Sequence, residues 1–184
     1  GEVMIKTEEN NQLLIVCGNS KASLSYIHAD EFPVFPQIEK NSGIVIKENN
    51  FRKMINQTVF SSAISEDKPI LTGALFEAEE GFLKLVALDG YRLALRKEEA
   101  GKFNEQLKAV VPAKSLRETS KILGDTDESI HVYINDKTVL IENNETKIYT
   151  RLLEGDYVKY KNILPNEYKT RIKTNATAFC MAIE

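Results

Sequence analysis

The sequence predicts an α+β fold in which two helices pack on antiparallel sheets, in a duplicated unit of strand, helix and meander. Three observations lead to this prediction. Apolar and polar residues alternate over most of the chain, which is typical of half-buried strands. Two stretches instead have the spacing of a helix with one buried face. Short polar turns separate the strands.

The first elements are read in chain order. Alternation around the turns "EENNQ" and "GNSK" predicts a meander of three strands within residues 3–26, and "GIVIK" predicts a further short strand. The spacing from Phe51 to Val59 in "ENNFRKMINQTVFSSAIS" predicts a helix. Strands follow in residues 72–99, hinged at "EEG" and "DGY", because glycine permits a positive φ.

The next stretch repeats this order. We expect a strand in "LKAVVPA", a helix in "KSLRETSKILG" and a second meander in "SIHVYINDKTVLIENNETKIYTRLL". Strand, helix and meander therefore occur twice between Gly43 and Leu153. The economical packing places the two helices side by side on one face of sheets made by the two meanders.

A longer repeat runs through the whole chain. Ile15 and Ile141, and likewise Ser20 and Thr146 and Asp30 and Asp156, lie 126 positions apart within similar meanders, and "FRKMI" is later matched by "FCMAI". Tandem domains explain this pattern. Residues 1–40 are then the second half of one domain, 41–165 a complete domain, and 166–184 the first strand and helix turn of a third. We expect the chain to be a piece of a longer protein.

Composition and charge limit the classes of function that are expected. The chain has 184 residues, with 24 Lys and Arg against 27 Asp and Glu, a net charge of −3. The chain has no overall excess of basic residues of the kind that indicates a nucleic-acid binder. Any nucleic-acid-binding surface must therefore be a local one. No apolar run has the length of a membrane span, and a cytoplasmic protein is expected. Cys17 and Cys180 are isolated, so we expect no disulfide, metal or cofactor.

Basic residues are concentrated on the predicted helices. Lys114, Arg117 and Lys121 fall at i, i+3 and i+7, with Glu118 opposing them. The first helical segment adds three more basic residues against one acidic residue, namely Lys47, Arg52 and Lys53 against Glu48. A solvated helix face is the ordinary interpretation. The alternative is a surface for DNA phosphates, which would be independent of base sequence.

No catalytic set is recognisable. His28 and His131 are isolated, and the acidic runs "EAEEG" and "ENNE" are expected at turns, where such runs are usually solvated. "LDGYRLAL" has two interpretations, either a hairpin turn with core leucines or an apolar depression. An enzyme that uses "DGYR" and nearby carboxylates is a rival hypothesis. However, the sequence contains no base, nucleophile and orienting partner at the spacing of a known catalytic motif. We therefore expect no catalytic residue.

Several motifs carry a family resemblance. "LTGALFEAEEGFLKLVALDGYRLALR", "VVPAKSLRE", "LLEGDYVKYKNILP" and "SLSYIHADEFPVFPQIE" resemble the bacterial DNA polymerase III β subunit, the sliding clamp, over essentially the whole chain. The resemblance implies the DNA-clamp fold and a full-length homodimer of three-domain subunits that forms a ring around double-stranded DNA. Helices line the hole of this ring. The piece itself is not expected to close a ring.

The resemblance also implies two sites. The basic residues become the lining of the hole, and the loop with Ser65 and Pro69 adds one more DNA-contacting residue, so the DNA-binding set is Arg52, Lys53, Lys68, Lys114, Arg117 and Lys121. Short peptides of the polymerase α subunit, the clamp loader and repair proteins are expected in a groove. Its wall here is Leu71, Leu88, Gly90, Tyr91, Arg92, Leu93, Val158, Asn162 and Ile163. Leu88, Tyr91 and Val158 depart from the family's usual Thr, His and Pro.

The expected function is therefore that of a non-catalytic processivity factor, which tethers the polymerase to DNA by its shape. A protein-interaction module of the same fold with no role on DNA is the alternative, and the basic stripe only mildly disfavours it.

Overall fold

The computed structural model describes residues 1–40, 43–65, 67–101 and 106–184. The chain divides into two compact units, Gly1–Glu39 and Lys40–Glu184. The predicted middle domain begins at residue 41, which lies outside the described residues.

The first unit is a sheet of three antiparallel strands in the order β1-β2-β3: β1 (Val3–Glu8), β2 (Gln12–Cys17) and β3 (Ser20–Ser25). The turn between β1 and β2 contains Asn10 and Asn11, both with positive φ, and Gly18 has a φ of +55° in the next turn. Asparagine and glycine tolerate this left-handed conformation better than other residues do. The predicted meander is confirmed.

The second unit contains the predicted duplication. Its first half has the elements β4 (Ile44–Lys47), α1 (Glu48–Thr58), β5 (Gly73–Glu79), β6 (Phe82–Leu88) and β7 (Leu93–Glu99). Its second half has the elements β8 (Leu107–Pro112), α2 (Ala113–Ile122), β9 (Ser129–Ile134), β10 (Thr138–Glu142) and β11 (Lys147–Arg151). Both halves therefore have the order strand, helix, meander. Gly81 and Gly90 have positive φ at the two predicted hinges.

The sheets differ from the expected ones in one respect: each half lends its first strand to the other half's meander. The sheet orders are β11-β10-β9-β4 and β7-β6-β5-β8, with every pair antiparallel. Thus β4 of the first half pairs with β9, and β8 of the second half pairs with β5. Hydrophobic periodicity predicts sheets made by the two meanders, but it does not identify the partner of the strand that precedes each helix.

The outer edges of the two sheets are also joined. The amide of Gly101, just after β7, donates to the carbonyl of Val45 in β4 over 2.7 Å. The amide of Leu153, just after β11, donates to the carbonyl of Val110 in β8 over 2.8 Å. These two bonds occupy equivalent places in the two halves, so each meander also contacts the first strand of its own half.

One core lies between the helices and both sheets. Phe51, Met54 and Ile55 on α1 are buried, as the helical spacing predicts, and Leu116 is their counterpart on α2. The ring of Phe51 meets that of Phe76 edge-on, with centroids 6.0 Å apart. The two helices contact each other, while α1 also packs on β6 and β7 and α2 on β5 and β8. Burial of these apolar faces is the main stabilising term.

The first turn of α1 is held by the chain that follows α2. The amides of Glu48 and Asn49 donate to the carbonyls of Glu128 and Thr126, over 2.8 and 3.1 Å. The first amides of a helix have no partner within the helix, so these bonds replace a side-chain cap. The buried carboxylate of Glu48 accepts from the Thr126 hydroxyl at 2.6 Å. This bond, with weaker ones from Gly124 and Asn143, lowers the pKa of Glu48.

The longer repeat is visible in the structure. Both β1 and β9 have six residues, beginning at Val3 and Ser129, which are 126 positions apart. The same separation relates two backbone hydrogen bonds that follow the meanders, Tyr26 to Asn11 and Leu152 to Lys137, each 2.9 Å long. The predicted repeat of the meander is confirmed.

Of the strand and helix turn predicted for residues 166–184, only the helix is formed. A helix, α3 (Ala176–Ile183), begins after Asn175, whose side chain accepts from the amide of Ala178. The strand expected before it is absent, since residues 164–175 form no strand. A strand needs a hydrogen-bonded neighbour, and periodicity alone does not provide one.

We predict that Glu48→Gln lowers the free energy of unfolding at pH 7 by about 1–3 kcal/mol, because a buried carboxylate that accepts hydrogen bonds is lost. The pKa of Glu48 is lowered in the folded state from 4.5. The contribution is therefore full above pH 4.5 and disappears as the pH falls through the lowered value. Urea unfolding between pH 3 and 7 measures it. Glu118→Gln, on the exposed face of α2, is the control and should change stability by less than about 0.5 kcal/mol.

Candidate functional site

The basic residues of α1 and α2 lie on the helix faces opposite the buried ones. Lys114, Arg117 and Lys121 are exposed on α2, and Lys53 is exposed on α1 beside the partly buried Arg52. We call these five residues the basic face. Arg117 Nη2 donates to the carbonyl of Val59 at 3.4 Å, in the 3₁₀ turn that follows α1. The basic face therefore spans both helices.

Acidic residues offset this positive charge only in part. Lys121 Nζ lies 2.8 Å from Oε1 of Glu118, one turn away on the same exposed surface. Among the described residues, neither Lys53 nor Lys114 forms an ion pair. Exposed pairs such as that of Lys121 contribute little to stability and are readily exchanged for another anion.

Two residues of the first basic segment differ from expectation. Lys47 ends strand β4, and its ammonium pairs with Asp127 at 3.3 Å instead of facing outward from the helix. Glu48, expected to oppose the basic residues at the surface, is buried by its bonds to Thr126 and its neighbours. Periodicity places a residue on a face, but these contacts come from the loop after α2.

The loop before β5 presents Lys68 to solvent. This residue immediately precedes the 3₁₀ helix Pro69–Thr72. Ser65 Oγ and a carboxylate oxygen of Asp67 are 2.7 Å apart, so the loop folds on itself next to the lysine. Residue 66, the other acid of "SEDKP", lies outside the described residues.

The "DGYR" segment is a turn closed by its own aspartate. Asp89 Oδ1 accepts from the amides of Tyr91 and Arg92 at 2.9 and 3.1 Å, and its other oxygen accepts from Arg92 Nε at 2.9 Å. These backbone bonds, followed by the arginine side chain, lower the pKa of Asp89. Gly90 supplies the φ of +100°. Both carboxylate oxygens of Asp89 are therefore engaged within the turn.

Aromatic groups surround this turn. The guanidinium of Arg92 lies 5.6 Å from the centroid of the Phe60 ring. The Tyr91 side chain is fully exposed, and Phe60 is half exposed. Because Asp89 holds Arg92 beside Phe60, the turn presents this cation–aromatic pair to solvent.

An apolar cluster lies on the face of the second sheet that turns away from the helices. In β5, Ala74, Phe76 and Ala78 pack toward the helices, whereas Leu75 belongs to this second cluster. Side chains of a strand alternate between its faces, which explains the division. The buried members of the outer cluster are Leu71, Leu75, Val86, Leu88, Val110 and Tyr160, and Leu93 packs against them.

The structure shows a hairpin turn with core leucines, and the apolar depression stays a prediction. Leu71 and Leu88 are 4% exposed and belong to the core of this face, while Leu93 is partly exposed at its margin. Val158 and Ile163 are 38% and 57% exposed on the segment that crosses the same face. The three leucines share one cluster, and the two aliphatic residues are within six positions of its buried Tyr160.

A cleft of about 820 Å³ lies beside this crossing segment. It is bounded by β5 and β8 on one side and by residues 152–162 on the other. Val158 and Asn162 are the only two residues of the predicted groove that line it. Leu88 and Leu93 belong to β6 and β7, on the other side of β5 in the strand order. Leu75 and Val110 also line the cleft, so the cleft adjoins the apolar cluster that contains the leucines.

Sequence reasoning missed the residues that hold the crossing segment. Glu77, in "EAEEG", was expected to be solvated but is 3% exposed. Its Oε2 accepts from the hydroxyl of Tyr160 at 2.6 Å, and Lys108 Nζ lies 3.2 Å from Oε1. Burial opposes ionisation, but these two donors prevail and the pKa of Glu77 is lowered. The alternation of side chains along β5 does place Glu77 on the same face as Leu75. It does not indicate that residues 152–162 cover this face.

Two tyrosines on the segment point inward. Burial, followed by the bond to Glu77, raises the pKa of Tyr160. Burial also raises the pKa of Tyr157 to about 12, and its hydroxyl lies 3.4 Å from the carbonyls of Gly73 and Val86. Both phenols therefore remain protonated donors at neutral pH.

Within the described residues, no group of three or more His, Cys, Asp or Glu side chains is placed to hold a metal ion. In the same part of the chain, no helix is both long and apolar enough to cross a membrane.

Comparison with known proteins gives a consistent result. The family model described as "DNA polymerase III beta subunit, central domain" matches residues 45–159. The beta sliding clamp of Bacillus subtilis (strain 168) is 37% identical over 183 residues, which cover 98% of this chain and 48% of that protein. The beta sliding clamp of Staphylococcus aureus (strain Mu50) is 31% identical, covering 100% and 48%. The chain thus spans about half the length of these relatives.

Solved structures agree. The crystal structure of the DNA polymerase sliding clamp from Bacillus subtilis superimposes with a TM-score of 0.89 at 36% identity, covering 98% of this chain and 48% of that one. A putative DNA polymerase III beta subunit from Eubacterium rectale gives a TM-score of 0.80 at 35% identity, covering 90% and 45%. The predicted clamp fold is confirmed.

We predict that Asp89→Ala opens the "DGYR" turn, because the carboxylate that accepts both amides is lost. Amide hydrogen exchange at Tyr91 and Arg92, followed by NMR, should accelerate by about tenfold. Asn135 holds the amides of Lys137 and Thr138 in the same way, at 3.0 and 2.7 Å, so those two amides are an internal control. Unchanged exchange at Tyr91 and Arg92 would show that the turn does not depend on Asp89.

Proposed function

The chain belongs to the DNA polymerase III beta subunit family, and from this premise we propose that it supplies the middle part of a sliding clamp. In the whole protein, a ring of two subunits encircles double-stranded DNA and tethers the polymerase to it. The observation that carries the proposal is that two different surfaces lie on opposite sides of the second unit. The helices present a basic face, and the far side of the sheet beneath them carries a buried apolar cluster, beside which Leu93, Val158 and Ile163 remain partly exposed.

The basic face suits a ring that slides. Lysine and arginine contacts to phosphates do not read the bases, so they permit movement along any sequence. The five residues of the basic face, together with Lys68, are the proposed DNA-contacting set. Their affinity need not be high, since encirclement keeps the whole clamp on DNA without tight binding.

The apolar surface suits the capture of peptides. We propose that Leu71, Leu88 and Leu93 form its floor, with Val158 and Ile163 as a raised margin. The turn from Gly90 to Arg92, together with Asn162, would form its polar rim. Short apolar segments of the polymerase α subunit, the clamp loader and repair proteins would bind there, because buried apolar anchors dominate the affinity of such contacts.

The domain assignment follows the same proposal. Residues 1–40 would be the C-terminal half of the first clamp domain, 41–165 the whole second domain and 166–184 the start of the third. The protein would act in the cytoplasm as a non-catalytic accessory of the polymerase.

We predict that the chain binds duplex DNA no more tightly than ~10⁻⁴ to 10⁻⁶ M, with an affinity that falls as salt rises. Changing Lys114, Arg117 and Lys121 to Ala should weaken binding and reduce the slope of log K against log salt by about 2 to 3, since each phosphate contact contributes roughly 0.9. Fluorescence anisotropy with a labelled duplex at several salt concentrations measures both quantities.

The control for this experiment removes the same charge elsewhere. Lys137, Lys147 and Lys169 are exposed and lie outside α1 and α2. Changing these three to Ala should lower the DNA affinity and the slope of log K against log salt by less than the triple substitution on α2 does. Equal losses in the two triple variants would show that net charge, and not the helical face, attracts DNA.

We predict that Ile163→Ala weakens the binding of a fluorescein-labelled clamp-binding peptide with an apolar end by about fivefold to thirtyfold, as expected when an apolar anchor is truncated. Ile122→Ala is a matched control, because Ile122 is 55% exposed on α2 and Ile163 is 57% exposed. Chemical-shift mapping should place the peptide near Leu71, Leu93, Val158 and Ile163. Shifts confined to the helices would refute the groove.

A further inference from the structure

We propose that Tyr160 and Glu77 are positioning residues for peptide capture: their hydrogen bond holds residues 158–163 so that Val158 and Ile163 face the incoming peptide. This inference rests on the proposed function and adds to it two residues that would not touch the peptide. We call Tyr160, Glu77 and Lys108 the latch.

Tyr160 is the single buried anchor of this segment. It is 4% exposed, whereas residues 158, 159 and 161–163 are all exposed. The segment has no strand or α-helix of its own, only the 3₁₀ turn Tyr160–Asn162. Its position on the sheet therefore depends on what Tyr160 contacts and on the partly buried Tyr157 just before it, whose hydroxyl lies 3.4 Å from the carbonyls of Gly73 and Val86.

The two margin residues are tied to Tyr160 through the backbone. The amide of Tyr160 donates to the carbonyl of Val158 at 2.7 Å, and the amide of Ile163 donates to the carbonyl of Tyr160 at 2.9 Å. A shift of Tyr160 is thus transmitted to both residues. Side chains farther along the segment provide no second buried anchor to resist it.

The hydroxyl of Tyr160 orients the side chain, in addition to the contribution of the buried ring. Apolar contact with the cluster is not directional, whereas a hydrogen bond is. The hydroxyl is 2.6 Å from Glu77 Oε2, and this short bond to a charged acceptor fixes the ring along its axis. Lys108 Nζ, 3.2 Å from Oε1, occupies the other oxygen of Glu77. All polar atoms of the latch are therefore paired.

The latch shares no residue with the proposed peptide surface, although Val158 and Asn162 of that surface line the same cleft as Glu77 and Lys108. Glu77 and Lys108 lie on β5 and β8 and line the cleft, while Leu88 and Leu93 lie on β6 and β7. The Tyr160 hydroxyl is directed at Glu77, so it is not available to a peptide. Any effect of its removal on peptide binding must pass through the shape of the segment.

The test measures binding of the labelled peptide described above by four single variants of the chain and by the double variant of Tyr160→Phe and Glu77→Gln. Tyr160→Phe removes one hydroxyl and keeps the ring, and Glu77→Gln removes the charge of its acceptor. Tyr133→Phe is the control for the first, at a buried tyrosine of β9, and Glu48→Gln is the control for the second, at another buried carboxylate. Peptide affinity, melting temperature and amide hydrogen exchange are measured for each.

We expect Tyr160→Phe and Glu77→Gln each to weaken peptide binding by about tenfold, the equivalent of one hydrogen bond to a charged group. Exchange of the Asn162 and Ile163 amides should accelerate in both. Because the two residues act through one bond, the double variant should be little weaker than either single one. Glu48→Gln should lower the melting temperature yet change peptide affinity by less than about twofold.

Three results would overturn the inference. Wild-type affinity in Tyr160→Phe would show that the hydroxyl does not position the segment. Equal weakening by Glu48→Gln would show that general stability, and not the latch, governs binding. Failure of the unaltered chain to bind any peptide would remove the proposed groove and this inference with it, whereas the first two results leave the groove intact.

Discussion

The exchange of first strands between the two halves is the constraint on which the rest of the structure depends. Because β4 joins the meander of the second half and β8 joins that of the first, neither half can complete its sheet alone. The junctions before α1 and after α2 are then brought together, and the loop at Thr126 and Glu128 satisfies the first amides of α1. Both helices consequently share one core and lie against each other. Residues far apart in the chain must meet for either sheet to form.

The two proposed surfaces follow from the alternation of side chains across one sheet. One face of β5 packs against the helices through Phe76, and the exposed sides of those helices carry the basic residues. The other face carries Leu75 and Glu77 under the segment that contains Tyr160. DNA and peptides would therefore approach from opposite sides of the same unit. The sheet between them would let both bind without competing for space.

Much of the fold and part of the site could be predicted because their signals are local. The helices, the meanders and the 126-residue repeat depend on spacing within short windows, and the glycine of "DGYR" marks its own turn. Leu71, Leu88 and Leu93 do share one cluster, and the basic face is exposed. Glu48 and Glu77 were misjudged as surface charges. Their burial depends on Thr126 and Tyr160, each about 80 positions away, and no local pattern reports such a partner.

By itself the sequence determined which stretches are strands or helices and in what order, since a period of two or 3.6 is a property of neighbouring residues. It also determined the family, through motifs in a fixed order. Only the tertiary structure decided which strands pair, which face of the sheet is covered and which charges are buried. The physical reason is that hydrogen bonding between strands and the loss of solvent both require a partner from elsewhere in the chain. A strand's periodicity is the same whichever partner it has. For that reason the exchange of first strands, the absence of a strand before α3 and the latch that holds residues 158–163 were not predictable.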